Sequence, residues 1–138
     1  MTALKGQCHC GAVRFEVTLN GGIASARRCD CSLCLMRGAV AVSAARDAIR
    51  IMAGADNLAL YQFGSRVAEH HFCRTCGIYT HHRRRSNPDE IGVNLACLEG
   101  QTPLLAEVIV NDGRNHPSDV GRSGIIGTLR FEPWEGRE

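Results

Sequence analysis

Cysteine content constrains this chain more than any other feature of its sequence. Eight cysteines occur in 138 residues, and seven of them fall in three groups that are each no more than six residues long. Thiols at such short spacing can bind one metal ion together or pair as disulfides. The groups are Cys8 and Cys10, then Cys29, Cys31 and Cys34, then Cys73 and Cys76, with Cys97 standing alone.

A disulfide framework is the simpler interpretation of so many cysteines, but the location expected for the chain opposes it. The start of the sequence, residues 1–6, has no apolar stretch of the kind found in secretory signals. No apolar run approaches the roughly 20 residues needed to span a bilayer. We therefore expect a cytoplasmic protein with no membrane partner, in a compartment that keeps thiols reduced. Thiolate ligands then favour zinc over calcium or magnesium; tetrahedral sulfur sites are typical of zinc or iron, and we expect zinc.

The number of clustered cysteines predicts two zinc sites with unequal ligand sets. Structural zinc is bound by four protein ligands, whereas catalytic zinc keeps three and an open position. Gly11 and Gly77 follow the first and third groups and can take the positive φ that tight turns require. These two groups therefore pair as one closed structural site, and the middle group forms an open site. The predicted ligands are Cys8, Cys10, Cys73 and Cys76 for the structural site, and Cys29, Cys31 and Cys34 for the open, catalytic site.

Spacing alone leaves other partitions open. The middle group becomes a second closed site if it takes one further ligand from His70, His71, His81, His82 or Cys97. Cys97 lies in an apolar strand pattern and is interpreted as a small buried residue. A redox role for Cys97 as a nucleophile is a further hypothesis.

Short apolar segments that alternate with polar residues predict a mainly β fold in a single domain spanning residues 1–138. We expect a hairpin of residues 13–19 and 23–28 around the turn at Asn20-Gly21-Gly22. Helical turns are expected only at residues 43–48 and 104–108. The remaining predicted strands are residues 38–43, 48–52, 58–63, 67–72, 78–82, 91–98, 107–110 and 125–131.

The charge pattern gives little support for a nucleic-acid partner. The formal net charge is +2, and seven metal-bound thiolates with two zinc ions would move it to about −1. The one basic run, residues 81–85, is interpreted as a solvated loop. Aromatic residues make up 5% of the chain and none interleaves with this run, so the stacking surface of a single-strand binder is missing.

Three motifs together resemble one known family. They are G-x-C-x-C-G-x-x-x-F at Gly6 to Phe15, C-x-C-x-x-C at Cys29 to Cys34, and H-F-C-x-x-C-G at His71 to Gly77. In this order and spacing they resemble the glutathione-dependent formaldehyde-activating family, which also includes centromere protein V. The resemblance covers roughly Gly6 to Cys97. It implies a small zinc-stapled β fold similar to methionine sulfoxide reductase B, and it implies the same two ligand sets.

The resemblance also implies a function, a zinc-dependent carbon–sulfur lyase that joins glutathione or another small thiol to formaldehyde as S-(hydroxymethyl)glutathione. A site with three thiolates is a weaker Lewis acid than one with neutral ligands, which favours thiol chemistry over water activation. Arg28, Arg37 and Arg74 flank the cysteine groups and could pair with substrate carboxylates. The alternative is a non-catalytic zinc module that serves binding or scaffolding.

Overall fold

The structure is a computed structural model that describes residues 2–121 and 124–136. Within these residues a single sheet contains every strand, so the prediction of a mainly β fold is confirmed. The strands are β1 (Leu4–Gln7), β2 (Arg14–Leu19), β3 (Arg27–Cys29), β4 (Ala41–Ala53), β5 (Leu58–Tyr61), β6 (Glu69–Cys73), β7 (Tyr79–Arg83), β8 (Glu90–Asn94), β9 (Glu107–Asn111) and β10 (Ile125–Arg130).

Helical structure is limited to short connections. The two α-helices are α1 (Ser32–Arg37) and α2 (Pro117–Val120), and three 3₁₀ turns cover Gly22–Ser25, Ala55–Asn57 and Leu95–Cys97. Nowhere in the described ranges does a helix have the length and apolar character that crossing a membrane requires.

The sheet runs in the order β10-β9-β3-β4-β8-β7-β6-β5, and β1 and β2 branch from it. The branch occurs at strand β4, which is 13 residues long and pairs with different strands along its length. Its first residues pair with β8, while the section from Ala44 to Ala53 pairs with β2. The parallel pairing of β3 with β9 sets Cys29 opposite Asn111. This pairing brings the middle cysteine group next to a segment some 80 residues later in the chain.

The core lies where β2, β4 and β8 face one another. Phe15, Val42 and Val93 are almost completely buried there. The Phe15 ring occupies the space beside Gly6, where a Cβ would lie 2.4 Å from the ring. Gly6 and Phe15, the first and last residues of the motif, therefore lie opposite each other in β1 and β2 and pack together.

Several local predictions are wrong. Residues 23–28 do not pair with β2, because β1 and β4 occupy both of its edges; Gly22–Ser25 is a 3₁₀ turn instead. Residues 43–48, expected to form a helical turn, are part of strand β4. Residues 104–108, also expected to form a helical turn, lead into strand β9, which begins at Glu107. Long-range pairing on both edges overrides the weak helical preference of these segments. Helix α1, which begins within the middle cysteine group and ends at Arg37, was not predicted.

The basic run at residues 81–85 is also not a solvated loop. His81 is 8% exposed and lies with His82 in β7. The three arginines that follow each have a partner: Arg83 donates to the backbone oxygen of Pro88, and Arg84 and Arg85 pair with carboxylates. Likeness to methionine sulfoxide reductase B and the single domain over residues 1–138 stay predictions.

Candidate functional site

Four thiols from the first and third cysteine groups form one cluster, which we call the four-thiol cluster: Cys8, Cys10, Cys73 and Cys76. Their sulfur atoms all lie within 4.8 Å of one another. The Sγ of Cys10 is 3.7 Å from the Sγ of Cys8 and 3.7 Å from that of Cys73. A tetrahedral ion bonded to sulfur at about 2.3 Å separates its ligands by about 3.8 Å. The donor set and its spacing therefore fit a metal ion such as zinc.

Tight turns after β1 and β6 build this cluster. Gly11 and Gly77 have φ values of +80° and +77°, as expected from their places after the cysteines. The backbone N–H groups of Val13 and Thr75 donate to the sulfurs of Cys8 and Cys73 at 3.3 Å. These donors favour the thiolate form and orient both sulfurs. The cluster thus connects the β1–β2 hairpin to the β6–β7 hairpin.

The middle group forms a second cluster, the three-thiol cluster of Cys29, Cys31 and Cys34, whose sulfurs also lie within 4.8 Å of one another. Cys29 ends β3, and Cys31 is the N-cap residue of α1, where its sulfur accepts from the backbone N–H of Cys34 at 3.3 Å. Hydrogen bonds from the Cys29 and Cys34 thiols and from this N–H lower the pKa of Cys31. The start of the helix therefore favours a thiolate there.

Within the described residues, no histidine, carboxylate or further cysteine joins the three-thiol cluster. His70 bonds Arg37 instead, with 3.1 Å between Nδ1 and Nη1. Cys97 lies in the core, where burial raises its pKa to about 12 and its Sγ donates to the backbone oxygen of Tyr79 at 3.5 Å. The clusters can hold metal ions with four and three cysteine ligands, respectively.

All three thiols of the second cluster line a cavity of about 690 Å³ that contains no thiol of the four-thiol cluster. Of the four-thiol cluster, Cys8 lines a separate cavity of about 840 Å³. Cavities of this volume are typical of small-molecule sites. Polar groups without charge lie in its wall: the Oη of Tyr79 is 2.6 Å from Nδ1 of His82, and burial raises the pKa of Tyr79. Burial and the nearby Arg37 lower the pKa of His70 to about 4. Both histidine rings are therefore neutral near pH 7, since burial also holds the pKa of His82 well below its usual value.

Arginines supply the positive charge of the cavity. Arg37 contacts three cavity groups: its Nη2 lies 3.6 Å from the Sγ of Cys34, its Nη1 contacts His70, and its guanidinium lies 3.7 Å from the centre of the Tyr79 ring. Arg27 donates to Ser43 Oγ at 2.8 Å, and burial lowers its pKa to about 10, so it is still a cation near pH 7.

Carboxylates neutralise only part of this charge. Arg84 pairs with Glu90, Arg85 with Asp119, and Arg114 with Asp30. In the part of the chain that the structure describes, no ion pair joins Arg27, Arg28 or Arg37 to a carboxylate. The cavity beside the three thiols therefore has an excess of cationic groups, which suits an anionic ligand.

The structure brings the seven predicted ligands together in the two groups that counting gave. Arg28 and Arg37 line the cavity, but Arg74 does not. Sequence reasoning missed Tyr79, Asp30 and the loop around Gly113, although Tyr79 lies in a predicted strand and Asp30 in the middle cysteine group. The available signals were the acidic residue between two cysteines and the Asp-Gly pair after β9.

Comparison with known proteins gives consistent matches. A family profile described as glutathione-dependent formaldehyde-activating enzyme matches residues 3–110. A Penicillium rubens protein is 30% identical over an aligned length of 129, and the match covers 84% of this chain and 66% of that protein. A Halomonas elongata protein is 36% identical over an aligned length of 81, and the match covers 53% of this chain and 51% of that protein. Both have the provisional name of a glutathione-dependent formaldehyde-activating enzyme.

A solved structure also matches. The crystal structure of a Rhodobacter sphaeroides protein has a TM-score of 0.71 and 65% identity, and the match covers 72% of this chain and 91% of that one. The chain spans less than two thirds of the length of either named relative. The family profile alone covers most of the chain, and the matched region contains all three cysteine groups. The chain therefore belongs to the glutathione-dependent formaldehyde-activating enzyme family.

Proposed function

We propose that this chain is a zinc enzyme that adds a small anionic thiol, such as glutathione, to formaldehyde. The observation that carries the proposal is the different placement of the two clusters: the three-thiol cluster lines a cavity rich in arginine, and the four-thiol cluster does not. A small thiol that reaches the cavity meets three cysteines with no fourth protein ligand among the described residues. The names of the relatives support the same substrates.

Both clusters suit zinc in a reducing compartment such as the cytosol. Every donor is a cysteine, and all eight cysteines are free of disulfide bonds. In this proposal Cys8, Cys10, Cys73 and Cys76 hold a structural ion, and Cys29, Cys31 and Cys34 hold the ion at which chemistry occurs. Zinc bound there would stabilise the substrate sulfur as a thiolate near neutral pH.

The arginines give the cavity its preference for an anionic thiol. Glutathione has two carboxylates, and guanidinium groups bind carboxylates through two parallel hydrogen bonds. Arg28 and Arg37 line the cavity and have no carboxylate partner among the described residues. Arg37 also contacts Cys34, so it can hold a substrate carboxylate close to the reacting sulfur.

The reaction needs positioning and proton transfer but no electron carrier. A bond forms between the thiol sulfur and the carbonyl carbon, and the π bond of the carbonyl breaks. The sulfur loses its proton, and the carbonyl oxygen gains one, so S-(hydroxymethyl)glutathione contains every atom of the two substrates. Holding the two reactants side by side is a large part of what an enzyme supplies in such an addition.

The proposal is tested by measuring exchange between free and glutathione-bound ¹³C-formaldehyde by NMR, because the two compounds also combine without a catalyst. We expect the wild-type protein to raise the exchange rate at least tenfold above buffer with saturation in glutathione. Cys31→Ser should abolish the increase. Cys97→Ser is the matched control and should retain it.

The rival function is a non-catalytic zinc module. It predicts fully zinc-loaded protein with no acceleration, and X-ray absorption at the zinc edge that is unchanged by glutathione. Either result with two zinc ions per chain would overturn the proposed activity. The proposed activity is supported if adding glutathione changes the number of sulfur ligands, or of oxygen and nitrogen ligands, around zinc.

A further inference from the structure

The segment that follows β9 forms one side of the cavity. We call residues 112–119 the strap. Asp112, Gly113, Arg114, His116 and Pro117 all line the cavity. The strap lies beyond the region matched by the family profile, which ends at residue 110. It is therefore a part of the site that the family match does not describe.

One end of the strap is fixed to the three-thiol cluster. The carboxylate of Asp30, between two of the thiols, accepts hydrogen bonds from the backbone N–H of Gly113 at 2.7 Å and of Arg114 at 3.2 Å. A Cβ at Gly113 would lie 2.3 Å from the Sγ of Cys29 and 2.6 Å from the backbone nitrogen of Cys31. Only glycine allows this approach, so the strap packs directly on the thiols.

The other end is fixed to a different part of the sheet. Both oxygens of Asp119 accept from the guanidinium of Arg85, with 3.3 Å between Nη1 and Oδ2. Arg85 follows β7, and β7 is three strands away from β3 in the sheet order. The strap therefore runs from the end of β3 to the end of β7, with His116 and Pro117 between its two attachments.

We propose that the strap is the specificity-determining wall of this pocket and limits access to the three-thiol cluster to slender thiols. A wide reagent must displace the segment between the Asp30 and Asp119 attachments, whereas a narrow one need not. The proposal rests on the proposed function for the identity of the natural substrate. The effect of the strap on access does not depend on catalysis.

The test releases one attachment without touching a thiol. Asp119→Ala removes the Arg85 contact, and Asp119 is exposed enough that the fold should tolerate the change. Glu107→Ala is the matched control, since it removes the exposed ion pair with Arg130, whose Nε lies 3.3 Å from Glu107 Oε2, and neither residue lines the cavity. His116→Ala is a second variant, which removes a side chain that lines the cavity and keeps Asp30, Arg85 and Asp119 themselves unchanged.

The measurement is the alkylation rate of Cys29, Cys31 and Cys34 in the purified full chain, followed by peptide mass spectrometry. The reagents are iodoacetamide, which is narrow, and N-(1-pyrenyl)maleimide, which is wide. We expect Asp119→Ala and His116→Ala each to raise the rate with the maleimide three- to tenfold and to change the iodoacetamide rate less than twofold. Glu107→Ala should change neither rate.

The proposal would be overturned if the ratio of the maleimide rate to the iodoacetamide rate were the same in the wild type and in both strap variants. A parallel rise for both reagents would also overturn it, because that result indicates general opening of the fold. If the ratio shifts as expected but the wild type does not accelerate thiol addition, the strap stands as a size filter and the proposed function fails. With an active enzyme, the same variants should relax discrimination against thiols wider than glutathione.

Discussion

The two thiol clusters have the same donor atoms but different surroundings. The four-thiol cluster joins two hairpins whose cysteines are more than 60 residues apart, and Cys8 and Cys73 are buried within it. The three-thiol cluster comes from six consecutive residues and lines a cavity. Clusters with the same donor atoms therefore differ in what the fold places beside them: buried strands in one case and a cavity rich in arginine in the other.

The largest expected difference between the clusters is in folding. Cys73→Ser should prevent folding, because structural zinc supplies about 10–16 kcal/mol in small zinc domains. Cys31→Ser should give a folded protein with one zinc ion fewer. Circular dichroism melting and zinc analysis by mass spectrometry measure both. If the two variants lose structure to the same extent, the distinction between the clusters is wrong.

A methyl group at Gly113 should break the three-thiol cluster while leaving the other cluster intact. Gly113→Ala forces Cys29 and the strap apart, and overpacking of this kind costs about 1–3 kcal/mol. We expect a lower melting temperature and the loss of one zinc ion. Gly127→Ala is the control, since a Cβ there meets nothing within 4 Å and Gly127 has no positive φ. Equal zinc content in the two variants would contradict the expected clash.

Acid should weaken the hairpin that carries half of the four-thiol cluster. His81 in β7 is buried, and burial lowers its pKa to about 3 from 6.5. Between these values the unfolded chain binds a proton that the folded chain does not. Stability from His81 is therefore complete above pH 6.5 and is lost as the pH falls towards 3, by at most ~1.4 kcal/mol per pH unit.

Urea unfolding at pH 7, 6 and 5 checks this prediction in the wild type and in His81→Gln. Zinc loss in acid affects both proteins, so the difference between them isolates the histidine. The wild type should lose more unfolding free energy than the variant over this range. Parallel curves would show that His81 is not held neutral by burial.

The smallest expected effect comes from removing a positive charge beside the three-thiol cluster. Arg37→Gln should raise the KM for glutathione about tenfold, equivalent to about 1.4 kcal/mol, with a smaller change for the uncharged 2-mercaptoethanol. Arg74→Gln is the matched control, because Arg74 lies beside the four-thiol cluster and outside the cavity. An equal change in KM for both thiols would indicate that Arg37 acts through packing rather than charge.

The sequence predicted those features that depend on local spacing. Cysteines two or three residues apart must lie close together, and the glycine after each turn needs a positive φ, so the groups and Gly77 could be identified without a structure. Strand periodicity located most of the sheet. Pairing could not be predicted, because β2 has the same alternation whether its partner is β1 or residues 23–28.

The cavity was beyond sequence reasoning for the same reason. Its walls come from β3, β7, α1 and the strap, which meet through the parallel pairing of β3 with β9 and the order of the central strands. Asp30 shows the limit most clearly. Its position between two cysteines places it near the thiols but does not indicate its partners. Only the register that places Asn111 beside Cys29 gives its carboxylate the N–H groups of Gly113 and Arg114.

The close spacing of Cys29, Cys31 and Cys34 also sets an order of events during synthesis. This ligand set is complete as soon as Cys34 has been synthesised, whereas the other set needs Cys76 and two hairpins that close a long loop. The three thiols can therefore take up an ion from an unfinished chain. The strap beside them is made only with residues 112–119, so the first group of thiols to be complete is the last to be enclosed.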